Sequence, residues 1–272
     1  MCAWAVPIWM LLRFFLPARF AGEQWEPKGF AVQLIGLAIT LLTASEQSLP
    51  LQLSLYNLFV VLVYFFHWSA LNHPVMQSID QKIPSLTLAD GSCWPSAGLL
   101  SDHCENDSEG ESPLEANGGY LVVFLRGTFC ADSRAQLYQL AQGQYRLEKN
   151  NVKLVLVSTE PAERWPQLWP GESAPAVLQL SSSAPANRAF IAPASVPIWF
   201  RLLGPWVRRW AGSGQVRCAD SVTAAASGGA ACRPSAWLLD DAGYIVWRYL
   251  PGNYRMPGSG EFLCGQVSRL ED

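Results

Sequence analysis

The chain has 272 residues and a formal net charge of −3, which fits one or two domains and argues against nucleic acid as the main partner. Charged residues reach only 15% against a usual share of about a quarter, while aromatics make up 12%, with 12 Trp. Low charge with high aromatic content points to membrane contact.

Three apolar runs fill residues 1–72. "AWAVPIWMLLRFFLP" is interrupted by Pro7 and Arg13, "FAVQLIGLAITLLTA" starts at Phe30, and "LQLSLYNLFVVLVYFFHWSAL" starts at Leu51. A membrane span takes roughly 20 mostly apolar residues, with about 17 as the lower end. The third run meets that, the second meets it only by borrowing Gly29 and Ser45, and the first is the weakest. A cleaved leader would carry a basic n-region, and "MCAWAVPIW" has none. Residues 1–72 are therefore expected to form a membrane anchor of two or three helices that contacts lipid.

Arg13, Arg19 and Lys28 flank the first connection, and the second, "SEQS" at 45–48, has no basic residue. The positive-inside rule then puts the first connection in the cytoplasm, and the third run returns the chain there. The seven cysteines pull the other way. Cys93 lies near Cys104 and Cys218 near Cys232, spacings that suit disulfides in an oxidising compartment. Unpaired thiols in a reducing one suit the sequence equally.

Residues 73–118 read as an acidic, flexible linker: "SDHCENDSEGESPLEANGG" has six acidic residues and no Lys or Arg. His103 and Cys104 stand there without a second pair at ligand spacing, so no metal site is expected. Residues 119–272 read as a compact domain. "YLVVFL" is a buried strand; "ADSRAQLYQLAQGQYRLEKN" places Ala135, Leu137, Leu140 and Ala141 at helical spacing; "VKLVLVST" is a second strand. Such a βαβ unit predicts parallel strands with a right-handed crossover. "SAWLLDDAGYIVWRYL" predicts two strands joined by a turn at Asp240–Gly243, followed by a short helix from about Gly260. The predicted class is α/β, in the order βαβ, an irregular insertion over 160–231, then ββα. Within the insertion, Trp199, Trp206 and Trp210 interleave with Arg201, Arg208 and Arg209. That pattern suits an element resting on lipid headgroups, and equally an amphipathic helix packed on the domain.

Cys130 follows the first domain strand and opens its helix. A helix start exposes unpaired N–H groups and the positive end of the dipole, which favour a thiolate, the nucleophilic form of cysteine. Arg126 and Arg134 flank it. At this point the sequence resembles the peroxiredoxin-like (alkyl hydroperoxide reductase/thiol-specific antioxidant) branch of the thioredoxin-fold superfamily, over about 120–272. The resemblance rests on "FLRGTFCADSRAQLYQL", "VKLVLVSTEPAE" and "RPSAWLLDDAGYIVWRYLPGNYRMP". It implies a thioredoxin-like fold in which Cys130 is the peroxidatic cysteine. Arg233 would hold the thiolate and peroxide, and Pro234 would be the cis-proline facing the cysteine. The family's Thr and Pro positions are Gly127 and Val123 here, with Thr128 two residues before Cys130 as the alternative hydroxyl.

Ser133 occupies the second position of a C-x-x-C pair, so no local dithiol forms. Cys130 then needs an external thiol reductant, or a resolving cysteine from elsewhere. Cys232, two residues before Pro234, is one candidate, and its pairing with Cys218 is the competing reading. The expected function is a membrane-tethered thiol redox protein that reduces a peroxide or exchanges with a protein thiol, without cofactor. The alternative is a non-catalytic interaction module of the same fold. A hydrolase is not expected, because no His lies within 120–272 to act as base.

Overall fold

The computed structural model describes residues 4–20, 26–43, 49–95, 118–171, 173–194 and 229–270. Four helices come first: α1 (Ala5–Phe15), α2 (Pro17–Phe20), α3 (Glu26–Thr43) and α4 (Leu49–Val63), the last continuing through a π-helical turn, Tyr64–Trp68. Two short strands, β1 (Leu86–Thr87) and β2 (Cys93–Trp94), form a ribbon. The sheet-forming part follows: β3 (Tyr120–Phe124), α5 (Ala131–Lys149), β4 (Lys153–Ser158) and β5 (Ala176–Gln179). A second ribbon, β6 (Ile191–Pro193) with β7 (Ala230–Cys232), precedes β8 (Ser235–Leu239), β9 (Ile245–Tyr249) and α6 (Gly260–Gly265).

The main sheet runs β5-β4-β3-β8-β9. β3 pairs parallel with β4, Val122 opposite Val155, and antiparallel with β8, Val122 opposite Trp237. The predicted βαβ and ββα units are thus both formed. They join where β8 pairs with β3, the central strand, which gives the topology of a thioredoxin-like sheet with β5 added at one edge. A strand buried on both faces has no polar side to show water, and every residue of β3 is buried.

Alternate side chains of a strand point to opposite faces. Leu121 and Val123 therefore join Leu137, Leu140 and Leu147 of α5, together with Leu263 of α6. Val122 and Phe124 join Trp237 and Phe190 on the other face. That second face is closed by a segment expected to be linker. Met76, Ile83, Leu86 and Trp94 pack into it, and Asn187 fixes the segment by donating to the carbonyls of Thr87 (2.7 Å) and Ser181 (2.8 Å). Residues 76–95 thus belong to the domain. Short apolar residues spread among turns lack any periodicity that would have announced this. The acidic stretch of the expected linker lies outside the described residues.

Near the N-terminus, one helical stretch among the described residues, Leu49–Trp68, is long and apolar enough to cross a membrane. α1 has 11 residues, about 16 Å of helix, against a hydrocarbon core of about 30 Å. It packs instead on the neighbouring helices through Val6 and Trp9 and on the domain through Arg13 and Phe14.

Candidate functional site

The site grows from the end of β3. The chain turns through Arg126–Phe129 before α5 begins, and the tightness of that turn requires Gly127. Its φ is +150°, and a Cβ there would lie 2.4 Å from a Phe129 ring carbon. Glu160, just after β4, accepts from the Thr128 N–H (2.8 Å), and the Ser133 hydroxyl accepts from the Arg126 N–H (3.2 Å). The residue at the second C-x-x-C position therefore ties the turn to the helix.

Cys130 is the N-cap of α5, with extended backbone (φ −86°, ψ 121°). Its N–H donates to Gly127 O and its carbonyl accepts from Arg134 N, both at 3.1 Å. An N-cap side chain ordinarily binds the free N–H groups of the first turn, but the Cys130 sulfur makes no capping bond. Among the described residues its hydrogen-bonding partner is the carboxylate of Asp132, at 4.0 Å.

Around the sulfur the packing is apolar. Cys130 keeps only 7% of its surface exposed and clusters with Phe129, Ala194 of the insertion, Ala231 of β7 and Phe14 of α1. Phe14 is held from below: Arg134, itself buried, donates to its carbonyl (2.6 Å) and lies under its ring (5.0 Å to the centroid). Arg13 forms an ion pair with Asp132 and another, at 3.4 Å, with Glu26. Glu26 also pairs with Arg255, whose Nε donates to Ser69 Oγ (2.9 Å) and whose guanidinium faces the Phe65 ring. A buried charge is tolerable only when paired. This chain of alternating charges stitches α1, α3 and the end of α4 to the domain.

The residues singled out from the sequence are placed unevenly. Thr128 and Ser133 are buried in the turn. Arg126 lies over the rings of Tyr254 (4.1 Å) and Phe129 (5.4 Å). Arg233 donates through its N–H to Phe190 O (2.7 Å) and through its guanidinium to Ala189 O (3.1 Å), so it holds the end of β7 to the preceding turn. Pro234 is not cis: among the described residues the cis peptide bond is Trp94–Pro95.

Cys232 is a free thiol and is wholly buried, which removes the expected pairing with Cys218. It is also turned away from the site. Its neighbour Ala231 packs on Cys130, so strand alternation sends Cys232 into the core layer with Phe124 and Trp237. Burial pushes its thiol up to about 12, partly offset by a hydrogen bond from the Thr159 backbone. Burial likewise pushes the free thiol of Cys264 up to about 11. Cys93, by contrast, is disulfide-bonded. Cys2, Cys104, Cys218 and the Trp199–Trp210 cluster lie outside the described residues. Among the described residues no group of His, Cys, Asp and Glu forms a metal site.

The sequence reading missed Phe14, Asp132, Glu160 and the Arg13–Glu26–Arg255 chain. One signal was available: Arg13 is a lone cation inside an apolar run, and such a residue has a partner when buried.

No family model matches the chain, and neither does any curated protein. Solved structures do align with it. AhpC of Mycobacterium tuberculosis is 9% identical, with a TM-score of 0.38, covering 73% of this chain and 100% of its own. A thiol peroxidase from Chromobacterium violaceum is 13% identical, with a TM-score of 0.42, covering 74% and 92%. The reduced 2-Cys peroxiredoxin of Plasmodium vivax is 10% identical, with a TM-score of 0.35, covering 71% and 81%. At such values the fold assignment rests on the strand order itself.

Proposed function

We propose that the chain is a membrane-tethered, thiol-dependent redox protein in which Cys130 is the one reacting cysteine. One observation carries the reading. Cys130 stands at the start of α5, directly after the central strand, with a sulfur that makes no capping bond and so leaves the first-turn N–H groups free to stabilise negative charge. In the step proposed, the Cys130 thiolate attacks one peroxide oxygen, and the O–O bond breaks. The leaving alkoxide or hydroxide takes a proton and departs as alcohol or water, leaving Cys130 as sulfenic acid. An external thiol then condenses with the sulfenic acid, releasing water and forming a mixed disulfide. A second thiol resolves that disulfide and returns Cys130 reduced. Cys232 is given no part in this, since alternation along β7 turns it to the opposite face of the β6–β7 ribbon from Ala231, which meets Cys130.

The tether is supported by the inside-out character of α3 and α4. Their buried residues include Gln33, Gly36, Ser54 and Asn57, while Ile35, Leu42, Tyr56 and Phe59 face outward. Small and polar residues inside with apolar residues outside is the pattern of helices packed in lipid. Cys93 in a disulfide favours an oxidising compartment for the domain over the side that Arg13, Arg19 and Lys28 would give.

The test uses the full chain in lipid vesicles, treated with hydrogen peroxide or an alkyl hydroperoxide and probed with a sulfenic-acid reagent. Wild type is expected to be labelled at Cys130, and Cys130→Ser to lose the label. A wild type that stays unlabelled at every peroxide dose overturns the proposal. That outcome would leave the second reading, a non-catalytic module, which the burial of Cys130 beneath Phe14 favours.

A further inference from the structure

α1 is a strap laid across the Cys130 site. Its inner face carries Val6, Trp9, Arg13 and Phe14, all buried, and its outer face carries Ile8, Leu11, Leu12 and Phe15, all exposed. The spacing 6, 9, 13, 14 is one helical face, and it divides along its length: Val6 and Trp9 pack with Val61, Phe20, Phe30 and Phe65 of the neighbouring helical segments, while Arg13 and Phe14 face the domain. Two polar contacts hold its end over the sulfur: the Arg13–Asp132 ion pair and the bond from Arg134 to the Phe14 carbonyl. Trp9 donates to the Phe20 carbonyl (3.0 Å) and folds α1 against α2. The Phe14 side of the wall against Cys130 thus comes from α1 and not from the sheet.

We propose that Phe14 and Arg13 are specificity-determining residues of the Cys130 site. With α1 seated, a small peroxide reaches the sulfur and a protein-sized thiol or disulfide does not. Release of α1 opens the same cysteine to macromolecules. The inference rests on Cys130 being the reacting thiol and names the substrate class that the seated site admits. Phe14 supplies the steric block, and Arg13, through Asp132, holds the block in place at the carboxylate that accepts from the sulfur.

The test compares two reagents with one chemistry and different size, N-ethylmaleimide and maleimide on a long polyethylene glycol. In both, the Cys130 sulfur adds to the ring C=C and a solvent proton closes the adjacent carbon, with no oxidation. Rates at Cys130 are read by peptide mass spectrometry on the full chain in lipid vesicles, for wild type, Phe14→Ala and Asp132→Asn. Labelling of the buried Cys232 and Cys264 in the same samples reports global unfolding. Wild type is expected to react far faster with the small reagent. Each variant should cut the small-to-large rate ratio by about tenfold, equivalent to about 1.4 kcal/mol of closing free energy, while Cys232 and Cys264 stay unlabelled.

Equal rates for the two reagents in wild type, or an unchanged ratio in both variants, overturn the inference. If Phe14→Ala fails to fold, Asp132→Asn alone decides, since it keeps the side-chain shape and removes only the charge. Alkylation needs no peroxide chemistry. Failure of the sulfenic-acid experiment with the ratio intact would therefore sink the proposed reaction and leave the strap standing.

Discussion

At the scale of single residues, the three free thiols among the described residues divide by environment. Cys130 sits at a helix start against the Phe14 side chain of α1, whereas Cys232 and Cys264 are sealed in the core and their thiols are pushed up, by burial first, to about 12 and about 11. A raised folded value means that the native state keeps protons which the unfolded chain releases near pH 8.5. The stability these thiols contribute is therefore complete below about pH 8.5 and is lost as pH rises toward 11 and 12. The denaturant midpoint of the full chain should hold between about pH 7 and 8 and fall steadily above about 9. Cys232→Ala should flatten that slope while lowering the midpoint at neutral pH. A midpoint that stays level to about pH 10.5 would count against this burial. None of this separation was written in the sequence. Seven cysteines look alike in a string, and only strand phase tells that Ala231 rather than Cys232 meets Cys130.

At the scale of elements, the βαβ unit and the final hairpin were legible because each carries its own local signal: a run of buried-strand type, a helix with apolar residues at 3.6 spacing, and an Asp-x-x-Gly turn at Asp240–Gly243. What joins elements was not legible, because close approach leaves only a glycine as its trace. α5 and α6 meet through two of them. A Cβ on Gly260 would lie 2.3 Å from the Gln139 backbone, and one on Gly143 would lie 2.6 Å from Cys264 Sγ. The two obstacles differ in kind, since backbone cannot yield and a thiol can be deleted. Gly143→Ala should cost about 1–3 kcal/mol, the usual penalty for overpacking. In a Cys264→Ala background the obstacle is gone, so the same change should cost distinctly less. A double-mutant cycle from urea unfolding would measure this coupling. Strict additivity would mean that the helices do not approach as closely as the glycines allow.

For the whole molecule, the decisive contrast lies between two ways of burying polar groups. Around the sheet and where α1 and α3 meet it, Asn187 is hydrogen-bonded on both its oxygen and its nitrogen, and Arg13, Glu26, Asp132 and Arg255 form one chain of opposite charges. Within α3, Gln33 differs. Gln33 is 1% exposed with neither amide atom hydrogen-bonded, while Leu42 is 87% and Phe59 is 63% exposed. In water that arrangement would be backwards, because it hides polar groups and wets apolar ones. In hydrocarbon the outward Leu and Phe cost nothing, and the inward polar groups are the ones needing shelter.

Two substitutions therefore separate the environments. Phe59→Asp places a charge where lipid is expected, at a cost of about 2.5–3.5 kcal/mol near a helix centre. It should move a measurable share of the protein out of the membrane fraction on flotation. Gln33→Leu removes an unsatisfied buried amide worth about 1–3 kcal/mol of penalty, and it should leave flotation unchanged while raising thermal stability in vesicles. If Phe59→Asp floats as wild type does, the outward apolar face is not in lipid. The α3–α4 pair would then need a protein partner to cover it, and Cys130 would lie beneath a strap anchored to that partner rather than to a membrane.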